Sequence, residues 1–300
     1  MESLYLYPVK SLACVPVPSF TTGPWAPQTL DMVDRQLMVM DRRGKPVGAK
    51  QLPHITLIQP RLEAGVLTLT YPGMESLAVQ VPDQTGSKDL ARVGVEVAGE
   101  QCQGLDLGPE VGRWLSEVIL ADEEGGMRML LHPRGVSSRP DKPLDQLICP
   151  TRKAEDKPYF AHAFPYMMMA QPSISELNIL MEEEGVDLEV DVRRFRPNIL
   201  ISGSFPAFAE ETWAWLRMGD VVFRHSQLCP RCEFITVDPD MGDKHPQAEP
   251  LKTLRKYRCA ADPRERKVYG SAPFLGVNLA VEVQGVVNVG DKVYVGVNNF

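Results

Sequence analysis

Short apolar or alternating runs, separated by glycine and proline, dominate the first third of the chain and constrain its fold more than any other feature. They lie at residues 4–6, 37–40, 55–58, 66–69 and 93–97. Runs of this length and alternation predict β-strands, because successive side chains of a strand point to opposite faces. The Gly and Pro residues between them predict turns. The N-terminal part of the chain is therefore expected to be β-rich.

Two segments have the spacing of amphipathic helices. In residues 107–119 apolar side chains recur every three or four positions, and Pro109 suits the first turn of a helix. Ser173 and Glu176 match a capping box, and Gly185 can end the helix that follows. Each pattern predicts a helix that turns one apolar face towards a core.

The second half of the chain continues with short strands and few helices. Residues 277–283 and 286–295 predict a closing hairpin with its turn at Gly290-Asp291. Many short strands combined with three or four helices predict an α+β protein around a barrel-like sheet. The other predicted strands are residues 199–201, 221–223 and 234–237, and a short helix is predicted at residues 211–216.

The chain divides into two halves that we expect to pack as one unit. Residues 1–125 form the β-rich N-terminal region, and residues 159–300 form the second domain. The intervening residues 126–158 contain several prolines and scattered charges, but few apolar residues in their second part. They are predicted to be a loop or linker.

Composition excludes several classes of protein. The net charge of -7 argues against nucleic acid as the main partner, because phosphate binding needs a basic face. Six cysteines in 300 residues do not form the framework of a small secreted protein, so a reducing compartment is expected. No apolar run reaches the length of a membrane span. These features predict a cytoplasmic protein as the sequence stands.

The cysteine pair Cys229-Pro230-Arg231-Cys232 is the strongest candidate for a functional site. A cation such as Arg231 beside a cysteine favours the thiolate, the form that binds metals. A structural zinc site needs four ligands, whereas His225 and the two cysteines supply three. An iron–sulfur cluster needs more thiolates than this region offers.

Two further interpretations apply to the cysteine pair. A thioredoxin-like pair lies at a turn from strand to helix, whereas the residues after Cys232 resemble a strand. Cysteines are also often small core residues without a chemical role. The remaining hypothesis is a site in which one thiolate binds a metal whose other ligands belong to a cofactor.

Several motifs, taken together and in order, resemble those of MOSC-domain proteins, and among them those of the mitochondrial amidoxime-reducing components. The motifs are Leu4-Tyr5-Leu6-Tyr7-Pro8-Val9-Lys10-Ser11, Asp34-Arg35, Phe195-Arg196-Pro197-Asn198, Trp213 through Gly219-Asp220, and Cys229-Pro230-Arg231-Cys232 through Asp238. The resemblance covers nearly the whole chain. It implies a β-barrel MOSC core at residues 159–300, an N-terminal β-rich MOSC-associated region and a few peripheral helices.

The same resemblance implies the molybdenum cofactor and the residues that hold it. Cys232 is the implied metal ligand and catalytic residue, with Cys229 as a neighbour. The implied cofactor-binding residues are Lys10, Ser11, Arg35, Arg196, Asn198, Pro230 and Arg231. The chain departs from the pattern at Ala163-Phe164, where the relatives have two hydroxyl residues, and at Pro230, where they have serine.

The resemblance further implies a molybdenum-dependent oxidoreductase that reduces N-hydroxylated substrates such as amidoximes and hydroxylamines. A b-type cytochrome and its NADH-dependent flavin reductase are the implied electron donors. Two alternatives stay open: a module that carries or sulfurates the cofactor without turnover, and a non-enzymatic zinc-binding module at His225, Cys229 and Cys232. An N-terminal anchor upstream of this chain, as in the relatives, implies the mitochondrial outer membrane as the alternative location.

Overall fold

The α+β class predicted from the sequence is confirmed. The computed structural model describes residues 1–82, 90–122, 124–133 and 151–297. Within these residues it contains 18 strands and four α-helices, which lie at the periphery of the sheets. None of the helices in these ranges is long and apolar enough to cross a membrane.

The secondary structure alternates short strands with a few helices. The strands are β1 Ser3–Leu6, β2 Val15–Val17, β3 Ser19–Thr22, β4 Pro27–Gln28, β5 Leu37–Met40, β6 Gln59–Glu63, β7 Val66–Thr70, β8 Leu77–Gln80, β9 Arg92–Val97, β10 Glu100–Asp106, β11 Arg128–Leu131, β12 Tyr166–Ala170, β13 Ile199–Ile201, β14 Trp213–Met218, β15 Val221–Pro230, β16 Phe274–Val283, β17 Val286–Asn288 and β18 Val293–Val297. The helices are α1 Pro109–Leu120, α2 Gln171–Glu183, α3 Leu251–Tyr257 and α4 Pro263–Tyr269.

The largest sheet joins the two halves of the chain. Its eight strands run in the order β18-β14-β15-β16-β12-β13-β1-β2, so β1 and β2 complete a sheet built mainly by the second half. Strands β12 and β13 are parallel, and the other pairs are antiparallel. This shared sheet makes the N-terminal residues part of the barrel-like core.

Both faces of the central strands are covered. In β12, Met168 belongs to an apolar cluster with β1 and β16, whereas Met167 and Met169 pack with α2 and α3 on the other face. All five residues of β12 are buried, which explains its continuous apolar sequence. The N-terminal sheets enclose a separate cluster against α1.

Helix α2 ends as its sequence predicts but begins differently. After its last turn, the Gly185 N–H bonds the Glu182 carbonyl and the Val186 N–H bonds the Met181 carbonyl, with Gly185 at φ 72°. This is a Schellman motif, in which a positive φ suits glycine. The predicted capping box is wrong, because Ser173 Oγ donates to the Glu210 carboxylate instead of capping its own helix.

Four local predictions are wrong, two of them because pairing with distant strands decides the conformation. Residues 211–216 fall largely in β14, which pairs with β15 and β18. The predicted closing hairpin does not form, because β16 pairs with β12 and β15, β17 with β3, and β18 with β14. The predicted strands at residues 55–58 and 234–237 are mostly 3₁₀ turns, Pro53–Leu57 and Glu233–Thr236.

Candidate functional site

A cavity of about 570 Å³ lies between the two halves of the chain. Its walls come from the loop after β1, the turn at residues 46–51, the segment 161–164, the end of β15 and helix α4. The structure brings all eight predicted site residues to this one cavity. They are Lys10, Ser11, Arg35, Arg196, Asn198, Pro230, Arg231 and Cys232.

Asp34 and Asn198 fix the position of Arg35. The Asp34 carboxylate accepts hydrogen bonds from the Tyr7 N–H at 2.8 Å and from the Asn198 amide at 3.0 Å, and it forms an ion pair with Arg35. Arg35 Nη2 also donates to the Arg196 carbonyl at 2.9 Å. Asn198 and Asp34 are buried, so this network is a rigid support for the guanidinium of Arg35.

Arg196 is a cation with an unused donor. Its Nη1 donates to the Leu12 carbonyl at 2.7 Å, while its Nη2 is buried and has no hydrogen-bond partner. The guanidinium lies 4.1 Å from the centroid of the Tyr7 ring, which Arg35 also contacts at 4.5 Å. Burial lowers the pKa of Arg196 to about 10, so the side chain remains charged at neutral pH.

Three site residues hold an unfavourable backbone conformation. Ser11, Arg35 and Arg196 have φ of 73°, 47° and 59°, and they account for three of the eight non-glycine residues with positive φ in the described chain. Such a conformation costs about 1–2 kcal/mol per residue. Strain of this kind persists only where the surrounding structure enforces it, and it is frequent at binding sites.

Arg231 makes its contacts with protein carbonyls. Its Nε and Nη2 donate to the Leu275 carbonyl at 2.7 Å and 2.5 Å, and its Nη1 donates to the Phe195 carbonyl at 2.9 Å. The Arg231 N–H bonds the Pro273 carbonyl. These contacts connect the cysteine loop to the residues just before Arg196 and to β16.

The two cysteines of the motif differ in their surroundings. Cys232 is exposed at the cavity, whereas Cys229 is partly buried and packs against the cluster beneath α2. Burial raises the pKa of the Cys229 thiol, and the neighbouring Arg231 opposes this effect only in part. The expectation that Arg231 favours a thiolate therefore fails at Cys229, because desolvation outweighs the nearby charge.

The remaining predicted residues shape the wall of the cavity. The Lys10 N–H bonds the Leu37 carbonyl, which ties the loop after β1 to β5. Gly48 approaches Ser11 so closely that a Cβ at this position would lie 3.2 Å from Ser11 Oγ. Pro230 ends β15 opposite Phe274. Ala163 and Phe164, where the hydroxyl residues of the relatives are missing, also line the cavity.

The charge of the lining is strongly one-sided. Among the described residues that line the cavity there are six Lys or Arg side chains and no Asp or Glu, although the whole chain carries 39 acidic and 32 basic residues. The six are Lys10, Arg35, Lys50, Arg194, Arg196 and Arg231. Because positive charges of this number create a positive potential in the cavity, it is suited to an anionic ligand.

Sequence reasoning missed the residues that the fold brings to the cavity from outside the motifs. Lys50 and Arg194 are two of the cations, and Tyr269 of α4 lines the side near β15. The Tyr269 hydroxyl accepts a hydrogen bond from the Gln227 amide at 2.6 Å. For Arg194, the only signal in the sequence is its position two residues before Arg196.

The described residues do not support a zinc site. They contain no group of three His, Cys, Asp or Glu side chains arranged to hold a metal ion. His225 Nδ1 bonds the Trp213 carbonyl at 2.9 Å, so this ring is held by β14. A metal at Cys232 would therefore need most of its ligands from a bound cofactor.

Comparison with known proteins confirms the resemblance seen in the sequence. Residues 1–122 match the MOSC N-terminal beta barrel domain, and residues 155–294 match the MOSC domain. The chain is 31% identical over 294 residues to mitochondrial amidoxime-reducing component 1 of Homo sapiens, covering 98% of this chain and 82% of that protein. It is 30% identical over 296 residues to mitochondrial amidoxime reducing component 2 of Bos taurus, again covering 98% and 82%.

Proposed function

Because the chain belongs to the MOSC-domain family that includes the mitochondrial amidoxime-reducing components, we propose that it is a molybdenum-cofactor-dependent reductase of N-hydroxylated substrates. Amidoximes and hydroxylamines are the proposed substrate classes. The observation that carries the proposal is the cavity itself, in which one exposed thiol, that of Cys232, shares the lining with six cations and no carboxylate.

The residues present fit an anionic cofactor with a terminal phosphate. Arg196 keeps a buried, unpartnered Nη2 and forms no ion pair with a carboxylate in the described chain. A phosphate oxygen would satisfy that donor and balance its charge. Lys10, Ser11 and Arg35 supply further donors on the same side of the cavity, so we assign these four residues to the phosphate.

Asn198 and Arg231 have a supporting role in this proposal. Asn198 holds Asp34 and thereby Arg35, while Arg231 holds the loop that carries Pro230 and Cys232. Cys232 provides the protein thiolate for the metal, since a soft thiolate suits a metal that already has sulfur ligands. The cofactor, when bound, supplies the two-electron redox chemistry that removes oxygen from nitrogen.

The chain itself binds and shields the substrate. The lining also has apolar side chains, which suit the carbon skeleton of an amidoxime; they include Ala161, Ala163, Phe164, Val268 and Ala272. The sequence has no dinucleotide-binding fingerprint. Electrons are therefore proposed to come from partner proteins, a b-type cytochrome and its NADH-dependent flavin reductase.

The decisive experiment compares two cysteine variants that differ only in their proposed contact with the metal. The protein is expressed in a host that makes the cofactor, and molybdenum, zinc and pterin are measured per chain. Reduction of benzamidoxime is then assayed with reduced methyl viologen, which replaces the protein donors. We expect near-stoichiometric molybdenum in the wild type and in Cys229→Ser, and loss of both molybdenum and turnover in Cys232→Ser.

Three results would contradict the proposal. Zinc without molybdenum in the wild type would leave a metal-binding module in its place. Equal loss of molybdenum in both cysteine variants would show that Cys232 is not the distinctive metal ligand. Molybdenum that is retained without any reduction of benzamidoxime or hydroxylamine would favour a cofactor carrier.

A further inference from the structure

Arg194 is a second buried cation at the cavity with an unused donor. It lies on the 3₁₀ helix Val192–Phe195 and is 5% exposed. Its Nη2 donates to Asp238 Oδ2 at 2.5 Å, while its Nη1 is buried and has no hydrogen-bond partner. None of the motifs considered above includes this residue.

The orphan donor needs an explanation, because a buried N–H without an acceptor is unfavourable. Arg231, the other fully buried arginine of this wall, directs its donors to the Leu275 and Phe195 carbonyls. Asp238, for its part, is already fixed by the N–H groups of Asp240 and Met241 at 2.9 Å and 3.0 Å. Asp238 therefore holds Arg194 through Nη2, while Nη1 of the same guanidinium has no acceptor.

Arg193, the preceding residue, differs from Arg194 because its side chain pairs with carboxylates at the surface. Its Nε donates to Asp191, and its Nη1 and Nη2 donate to the two carboxylate oxygens of Asp240 at 2.8 Å and 2.7 Å. Arg193 is not among the described residues that line the cavity. Two adjacent arginines thus have different surroundings, one fully paired at the surface and one incompletely paired at the cavity.

We propose that Arg194 is an additional ligand-binding residue of the cavity, whose Nη1 donates to an oxyanion of the bound molecule. That oxyanion is the phosphate of the cofactor or a carboxylate carried by the substrate, and this choice rests on the proposed function. Arg194 is buried on the same wall as the cysteine loop, to which the 3₁₀ helix is joined by the Arg231 to Phe195 hydrogen bond. A ligand that completes its hydrogen bonding would gain a charge-assisted contact without the cost of ordering the side chain.

The test uses three variants and begins with the cofactor-free protein. Arg194→Met removes the donor, Arg193→Met is the control at the neighbouring position, and the double variant Arg194→Met/Asp238→Asn removes the ion pair without leaving an unpaired carboxylate. Inorganic phosphate is titrated by calorimetry into each protein. We expect phosphate to bind about tenfold more weakly to Arg194→Met and to the double variant, and normally to Arg193→Met.

Loaded protein then distinguishes the two sources of the oxyanion. Lower molybdenum and pterin content in Arg194→Met and in the double variant, but not in Arg193→Met, would identify the cofactor phosphate. Unchanged content with a raised KM for 4-carboxybenzamidoxime, and an unchanged KM for benzamidoxime, would identify a substrate carboxylate. Either pattern supports the proposal.

Two outcomes would overturn it. One is an Arg194→Met protein that matches Arg193→Met in phosphate affinity, cofactor content and both KM values. The other is a double variant that regains normal phosphate binding, since Arg194 would then only neutralise Asp238. If no protein contains molybdenum, the proposed function fails, while the phosphate titration still decides the role of Arg194.

Discussion

At the scale of single residues, the cavity is organised by backbone strain as much as by side-chain chemistry. Ser11, Arg35 and Arg196 all hold positive φ, and each places its side chain at the same cavity. Glycine would adopt this backbone more easily, but it would bring neither a hydroxyl nor a guanidinium. The strained backbone therefore lowers stability, but it holds the hydrogen-bond donors in fixed positions.

Ser11 allows the backbone strain to be separated from the hydroxyl. Ser11→Gly removes both, whereas Ser11→Ala removes the hydroxyl and keeps a Cβ at φ 73°. We expect the free energy of unfolding of the glycine variant to exceed that of the alanine variant by about 1 kcal/mol. Urea denaturation of the cofactor-free protein measures both. Both variants should lose cofactor to the same extent. An alanine variant that is the more stable of the two would show that this backbone is not strained.

The two cysteines of the motif should differ in reactivity. Burial raises the pKa of Cys229, so this thiol is protonated at neutral pH, while Cys232 is exposed. In cofactor-free protein at about pH 8, iodoacetamide should modify Cys232 at least about tenfold faster than Cys229. Mass spectrometry of the digested protein measures both rates. Faster modification of Cys229 would contradict the burial that the structure gives it.

At the scale of elements, a carboxylate distant in the sequence binds the first turn of helix α2 through the Ser173 side chain. Glu210 is buried beside the first turn of α2, where Ser173 Oγ donates to its two oxygens at 2.8 Å and 2.9 Å. The same hydroxyl accepts the Phe208 N–H at 2.8 Å. A negative charge at this end of a helix is favoured by the helix dipole, which compensates in part for its burial.

Ser173 should therefore matter more to stability than its place on a helix suggests. Ser173→Ala leaves the Glu210 carboxylate and the Phe208 N–H without this partner. We expect the free energy of unfolding to fall by about 1–3 kcal/mol. Ser175→Ala is the matched control on the exposed side of α2, and it should change stability by less than about 0.5 kcal/mol. Equal effects of the two substitutions would show that the Ser173 contacts with Glu210 and Phe208 do not contribute to stability.

The carboxyl of Glu210 also predicts a pH dependence. Burial raises its pKa, and the hydrogen bond from Ser173 opposes this effect only in part. A raised pKa in the folded state means that the stabilisation is complete below the unfolded pKa and is lost as pH rises through the folded pKa. In urea denaturation, the stability of the wild type relative to Glu210→Gln should therefore fall as the pH rises above about 4.3, the ordinary pKa of a glutamate. A relative stability that rises with pH would contradict a raised pKa for Glu210.

At the scale of the whole molecule, a buried ion pair attaches the segment before the cavity to the main sheet. Arg224 of β15 donates to both oxygens of Asp156 at 3.1 Å and 3.0 Å, and both residues are 4% exposed. Arg224 also binds Glu282 of β16 and the Thr151 carbonyl. This network fixes the residues that lead into the cavity wall at residues 161–164.

Breaking the Arg224–Asp156 ion pair should lower the stability of the protein more than removing an exposed carboxylate does. Asp156→Ala removes one of the two carboxylates that pair with the buried guanidinium of Arg224, so we expect the free energy of unfolding to fall by about 1–3 kcal/mol. Glu155→Ala removes a neighbouring carboxylate that is exposed, and it should change stability by less than about 0.5 kcal/mol. Urea denaturation measures both. A loss below about 1 kcal/mol for Asp156→Ala would show that the pair does not hold the segment.

The candidate site could be predicted from the sequence only where its residues lie in motifs. Lys10, Arg196 and Cys232 were found because short motifs surround them, and all three line the cavity. Lys50 and Arg194 line the same cavity without a motif, so nothing local distinguishes them from surface cations. The contacts of Arg231 with the Leu275 and Phe195 carbonyls depend on chain crossings that no local pattern encodes.

By itself, the sequence determined the α+β class, the strands with strong alternation, the two long helices α1 and α2 and those cavity residues that lie in motifs. These features depend on local periodicity and on motifs, which are properties of neighbouring residues. Only the tertiary structure decided that β14 is a strand, that Ser173 of α2 binds Glu210 and that Arg194 keeps an unused donor at the cavity. Each of these depends on partners far along the chain, because strand pairing and buried polar contacts are satisfied in space.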